Sequence, residues 1–149
     1  MVLTLVPVTS DNYGAVLRLS VARSQSELVA PVVKSLADAY VYAGARALAA
    51  VEDQTVVGFV LLFPFEKGGM RVMNLVRILV DKDHQGRGLG RATLEAAIEL
   101  AKASEPRPSR MKLSVMPRNV DAIRLYERAG FEGHEIEDGE RVMWLDLTR

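Results

Sequence analysis

The sequence predicts an α/β chain of the α+β kind, a mixed and mostly antiparallel twisted sheet with helices packed on it. Three observations predict this. Two apolar runs, residues 45–51 and 56–65, flank Glu52-Asp53-Gln54-Thr55, and a third run, 72–80, follows Glu66-Lys67-Gly68-Gly69; polar punctuation between such runs marks an antiparallel meander. The strand, helix, strand order over 72–116 requires one parallel pairing inside that sheet. Near the end, Asp138-Gly139 separates two extended segments, a strong hairpin signal.

Taken in order, Leu3, Leu5 and Pro7 alternate with Thr4, Val6 and Val8 in a first strand. Asp11 is placed to cap a helix over 12–22, and residues 26–42 read as a second helical region interrupted by Pro31. After the meander, Leu94, Ala97, Ile98 and Ala101 recur at i, i+3, i+4 and i+7, so 90–103 forms a helix with one apolar face. Pro106 and Pro108 make 105–109 a loop, since proline stops helices. Residues 111–116 are a short strand. Ala122, Leu125, Tyr126 and Ala129 mark another helix face, closed by Gly130.

Composition bounds the function. The 149 residues suit one domain, 1–149, and 49% apolar residues exclude a disordered chain. Nineteen basic and nineteen acidic residues give no net charge to draw nucleic acid or an anionic membrane. With no cysteine, and with His84 and His134 fifty residues apart, no metal site is expected. No apolar run approaches a membrane span, and residues 1–8 carry no basic leader, so the expected location is the cytoplasm.

The informative segment is Ile78-Leu79-Val80-Asp81-Lys82-Asp83-His84-Gln85-Gly86-Arg87-Gly88-Leu89-Gly90-Arg91-Ala92, where a strand ends, a glycine-rich turn follows and a helix begins. The first amides of a helix lack internal partners and carry partial positive charge, so such a turn can cradle a pyrophosphate. Arg87 and Arg91 add positive charge. A Walker A loop is absent, and the dinucleotide fingerprint fails because Arg91 stands where its third glycine belongs. Alone, this turn equally fits a helix start without a ligand. A second segment runs from Asn119, a good N-cap, to Gly130-Phe131, with Tyr126 one helical turn beyond Ala122. Taken singly, Asn119 reads as a cap and Tyr126 as a half-buried core aromatic.

Together, Gln85, Gly88 and Gly90, followed by Asn119, Ala122, Leu125, Tyr126, Gly130 and Phe131, closely resemble the acyl-CoA motifs of the GNAT superfamily of N-acetyltransferases in spacing and order. The close matches cover 77–131. The resemblance implies the GNAT fold, about seven strands flanked by about four helices, and acetyl-CoA as cosubstrate. It implies that the backbone of Ile78, Leu79 and Val80 pairs with the pantetheine arm. A backbone amide near Leu79 would then stabilise the oxyanion, a donor worth roughly 2.7–4 kcal/mol. It further implies that Gln85, Gly86, Arg87, Gly88, Leu89, Gly90, Arg91 and Ala92 hold the pyrophosphate, that Asn119 and Ala122 border the cofactor, and that Tyr126 is the general acid for the leaving thiolate.

The general base has no assignment. A lysine-like amine has only about one molecule in 2,500 neutral at pH 7, equivalent to about 4.6 kcal/mol of barrier. Relatives often place a carboxylate on the strand before the turn, but Asn74-Leu75-Val76-Arg77-Ile78-Leu79-Val80 contains none. Asn74 can position water. His84 has a suitable intrinsic pKa, although aromatic residues are common just before this turn in the family. Glu27, Asp38, Asp81 and the glutamates of the tail remain candidates.

The acceptor is expected to be a small-molecule amine. Val57-Gly58-Phe59, Ser35-Leu36-Ala37-Asp38-Ala39 and Ala122-Ile123-Arg124-Leu125-Tyr126 are similar to bacterial spermine/spermidine acetyltransferases, which implies a polyamine-like acceptor. Residues 28–34, apolar and without an acid, speak against carboxylate matching of several ammonium groups. An acyl-CoA-binding sensor or interaction module without turnover, and a protein N-terminal acetyltransferase, stay open as alternatives. The apolar segments 28–33 and 56–65 suggest surface for a homodimer.

Overall fold

The computed structural model describes residues 2–20 and 32–148. Its strands are β1 (Leu3–Pro7), β2 (Arg46–Glu52), β3 (Thr55–Lys67), β4 (Met70–Val80), β5 (Arg110–Val115), β6 (Ile136–Glu137) and β7 (Glu140–Asp146). They form one sheet in the order β1-β2-β3-β4-β5-β7-β6. Every neighbouring pair is antiparallel except β4 with β5. The helices among the described residues are α1 (Tyr13–Leu17), α2 (Val32–Val41), α3 (Leu89–Lys102) and α4 (Val120–Arg128).

Local chemistry makes the hairpins. The β2–β3 turn is Asp53-Gln54 and the β6–β7 turn is Asp138-Gly139, all four residues at positive φ, the twist that suits two-residue connections. The loop expected over 66–69 is also a two-residue turn. β3 runs on to Lys67, opposite Met70, and only Gly68 and Gly69, with φ of 58° and 78°, reverse the chain.

The helix expected over 12–22 is shorter, and Asp11 does not cap it. Asn12 is the N-cap, but its side chain turns back to the end of β1. Its Oδ1 accepts from the Thr9 amide at 2.8 Å and its Nδ2 donates to the Pro7 carbonyl at 3.0 Å. Past Leu17 the amides of Arg18 and Leu19 bond three residues back, and Asp81 Oδ1 takes the Ser20 amide at 2.9 Å, which ends the helix from outside. Of the second helical region, α2 supplies 32–41. Residues 26–31, Glu27 and Pro31 among them, lie outside the described residues.

Both faces of the sheet are packed. On one, Leu94, Ala97, Ile98 and Ala101 of α3 and Ile123 and Tyr126 of α4 meet Val60, Leu62, Met73, Leu75, Met111 and Leu113. On the other, Val16 of α1 and Val32 of α2 meet Ala49, Phe59, Leu61 and Leu79. Lying between the two layers, β3 is buried from Val57 to Leu62. That run therefore spends its apolar surface inside the chain, which removes much of the surface expected for a homodimer. Among the described residues no helix is long and apolar enough to cross a membrane.

Candidate active site

β4 and β5 pair only over 72–75 with 110–113. Beyond Leu75 and Leu113 their facing edges part, while β3 holds β4 to Val80 and β7 holds β5 to Val115. The cause sits on β4. The β3–β4 register passes from Leu61 opposite Arg77 to Leu62 opposite Leu75, leaving Val76 as an extra residue. Such a bulge bends its strand. The resulting cleft, about 240 Å³, is bordered by Ile78, Leu79, Val80, Gln85, Gly86 and Gly90 on one side and Asn119, Asp121, Ala122, Leu125 and Tyr126 on the other.

The β4 edge offers backbone groups in alternation. The Asp81 amide donates to the Val57 carbonyl at 2.7 Å. Antiparallel ladders alternate with period two, so Asp81, Leu79 and Arg77 turn their amides and carbonyls toward β3, and Ile78 and Val80 turn theirs toward the cleft. The Gln85 Nε2 donating to the Val80 carbonyl at 2.9 Å reaches it from that side. This corrects one expectation: Leu79 borders the cleft, but its amide belongs to the β3 ladder. The free donors are one residue to either side, on Ile78 and Val80.

The glycine-rich turn divides its residues. Gly86 has φ 82°, and Gly88, the N-cap of α3, has φ 77°, both left-handed and suited to glycine. The Ala92 amide closes the first helical bond to the Gly88 carbonyl at 3.1 Å, so the amides of Leu89, Gly90 and Arg91 have no acceptor within the helix. The Leu89 side chain packs in the core with Ala50, Val57 and Val80. Arg87 Nη2 lies 3.1 Å from the buried carboxylate of Glu52, and Arg91 Nε lies 2.8 Å from Glu95. Arg87 and Arg91 are 54% and 77% exposed in these pairs, so each guanidinium keeps further N–H donors open to an anion. Arg87, Gly88, Leu89, Arg91 and Ala92 do not border the cleft itself; the main-chain donors at the start of α3 lie beside it.

On the opposite wall Asn119 both caps and lines: its Oδ1 accepts from the Ala122 amide at 3.4 Å. Tyr126 is 8% exposed and packs edge-to-face on Phe131 with centroids 6.0 Å apart. Burial pushes its hydroxyl up to about 12, so the phenol keeps its proton at neutral pH and is a donor there. The site thus presents two strand amides, a helix N-terminus and a protonated phenol along one groove. Those groups fit a thioester arm ending in phosphates, and glycine at 86 and 90 leaves room for it.

The candidate bases scatter. His84 Nδ1 and Asp81 Oδ2 lie 3.2 Å apart and hold each other at the end of β4, away from the cleft lining. Among the described residues Asp121 is the one carboxylate bordering the cleft, and the glutamates of the tail do not border it. Asp38 and Asn74 instead share a second cavity, about 200 Å³, with Tyr42, Ala45, Leu61, Phe63 and Val76. It lies on the α2 face of the sheet, and its β4 residues, Asn74 and Val76, precede the cleft residues Ile78, Leu79 and Val80 on the same strand.

The sequence does not single out Asp121, Glu52 or the aromatic pair Tyr42–Phe63. Glu52 looks like turn punctuation, because its contact with Arg87 joins residues 35 apart in the chain.

The sequence model of the acetyltransferase (GNAT) family matches residues 15–131. The spermine/spermidine N(1)-acetyltransferase of Bacillus subtilis is 35% identical over 155 residues, covering 99% of this chain and 100% of the relative. Among solved structures, spermidine N-acetyltransferase from Vibrio cholerae, in complex with CoA and spermine, superposes with a TM-score of 0.77 at 21% identity, covering 98% of this chain and 96% of that one. The PaiA N-acetyltransferase from Thermoplasma acidophilum, in complex with coenzyme A, gives 0.74 at 13% identity, covering 98% and 99%.

Proposed function

Because the chain belongs to the acetyltransferase (GNAT) family and is an acetyl-CoA-dependent N-acetyltransferase, we propose that it acetylates a primary amine of a small, polyamine-like molecule by direct attack in a ternary complex. The observation that carries this reading is the bulge at Val76. It parts β4 from β5 and sets the cleft at Ile78–Val80 beside the cavity at Asn74–Val76. Two strand residues span about 6.6 Å, so donor and acceptor sides lie within reach of one another.

In this reading the Ile78 amide, nearer the point where the strands part, holds the carbonyl oxygen as negative charge develops on it. The Val80 amide binds the arm behind it. The free amides at the start of α3 hold phosphate oxygens, helped by the helix dipole. Tyr126 donates its proton to the departing sulfur, and burial keeps that proton available across the neutral range. Asn119 fixes the first turn of α4 and with it the wall that carries Tyr126. The polyamine preference is supported by the end-to-end likeness to the Bacillus subtilis protein. Residues 28–34 contain no acid, but Asp38 brings one acidic residue to the cavity on the α2 face, which supports an amine acceptor there.

The test is a thiol-release assay with acetyl-CoA against spermine, spermidine, putrescine, matched monoamines, amino acids and a peptide N-terminus. Polyamines should give the highest kcat/KM. A preference for the peptide, or for amino acids, would replace this acceptor class.

A further inference from the structure

The cavity on the α2 face has two kinds of wall. Tyr42 and Phe63 stand edge-to-face with centroids 5.9 Å apart, and Leu61 and Val76 add aliphatic surface. Among the described residues Asp38 is the one charged residue of the lining, and no lysine or arginine belongs to it. A carboxylate beside aromatic rings and aliphatic walls recognises an alkylammonium: Asp38 takes the charge, the rings favour the cation, and Leu61 and Val76 cover methylenes.

Asp38 already holds such a group. Lys34, one helical turn earlier on α2, places its Nζ 2.9 Å from Asp38 Oδ2. The Lys34 side chain is 59% exposed and that of Asp38 is 29% exposed, so the lysine approaches from the solvent side. Exposed pairs of this kind are weak and exchange readily. An alkylammonium tethered to the chain thus sits where a substrate ammonium would compete for it.

Resting on the acyl-transfer reading above, we propose that Asp38 is a specificity-determining residue that binds the non-reacting ammonium of a diamine or polyamine in exchange for Lys34. The second amine of the same molecule then lies at Asn74 and Val76, next to the Ile78 end of the cleft. Asn74, opposite Phe63 in the β3–β4 ladder, offers this amine or its water a carbonyl acceptor. Asp38 selects the acceptor; it takes no proton from the reacting nitrogen.

The two members of the pair give the test opposite signs. Asp38→Asn should raise KM for putrescine and spermidine at least about 10-fold. It should leave kcat at saturation, KM for acetyl-CoA and KM for butylamine within about 3-fold, since a lost charge–charge contact in a partly exposed site acts on binding. Lys34→Gln should lower KM for the same diamines about 2- to 5-fold by removing the competitor. If the pair only braces α2, both variants lose the same contact and shift KM together or not at all, and the proposal falls. It falls also if Asp38→Asn lowers kcat with a changed pH–rate profile, which would make Asp38 the base. A parent enzyme that acetylates diamines while Asp38→Asn leaves their KM unchanged overturns this inference alone. One that acetylates monoamines but no diamine overturns the polyamine reading with it. A parent that acetylates no amine overturns the transfer reading with it.

Discussion

Replacing Gly58 with alanine tests whether the β4 edge is the working surface of the cleft. Gly58 lies on β3 opposite Val80, and a Cβ built there falls 2.6 Å from the Leu79 carbonyl oxygen and 3.4 Å from Ala50 Cβ. Backbone is not a flexible obstacle. To reach even 3.0 Å, below which real Cβ atoms are essentially not found, β3 and β4 must separate by roughly 0.4 Å. The Leu79 carbonyl and the Val80 amide belong to one planar peptide unit and point opposite ways, the carbonyl to β3 and the amide to the cleft. Pushing one therefore moves the other. Two costs follow. Overpacking of this kind destabilises by about 1–3 kcal/mol. The displaced amide weakens one hydrogen bond to the acyl donor, typically worth about 0.5–1.5 kcal/mol, or about 2- to 12-fold in affinity. We expect a lower Tm and a rise of about 5-fold in KM for acetyl-CoA, with KM for the amine nearly unchanged. The assay is steady-state thiol release at saturating amine, paired with thermal melting. A variant that melts lower yet keeps the parent KM for acetyl-CoA would show that the Val80 amide contributes nothing to donor binding. Parent values in both would refute the close approach itself.

Tyr126→Phe keeps the ring on Phe131 and removes the proton donor, so kcat should fall about 10²-fold with little change in acetyl-CoA affinity; unchanged kcat where chemistry limits turnover would reduce Tyr126 to a core aromatic. The same hydroxyl gives an alkaline signature. Burial raises its pKa from the ordinary tyrosine value of 10.0 to about 12, so between these values the folded state holds a proton that the unfolded chain releases. Stability is intact below pH 10 and falls as pH rises from 10 toward 12, by at most about 3 kcal/mol; denaturant titrations of parent and Tyr126→Phe should diverge only in that window. Gly88→Glu should abolish calorimetric binding of acetyl-CoA by placing a carboxylate at the start of α3. Gly88→Ala, strained at φ 77° by about 1 kcal/mol, should bind with a much smaller loss.

What the sequence determined by itself is whatever depends on near neighbours along the chain. Asp138-Gly139 makes its turn because two adjacent residues accept positive φ. Leu94, Ala97, Ile98 and Ala101 meet the sheet because a helix returns to the same face within a turn. Gln85, Gly88, Gly90, Asn119 and Tyr126 stand out in the sequence only through their joint resemblance to family motifs; singly they read as a helix start, a cap and a core aromatic. Tertiary structure decided what depends on register and on distant partners. The bulge at Val76 arises from how β3 and β4 align, and it sets which amides face the cleft; a shift of one residue exchanges Leu79 for Ile78 and Val80. Arg87 meets the buried Glu52, 35 residues away, only once the turn packs against the end of β2. The helix beginning at Tyr13 stops early because Asp81 claims the Ser20 amide. The cavity under α2 combines Asp38 of α2, Phe63 of β3 and Asn74 of β4, residues that come together only when the sheet packs under the helix.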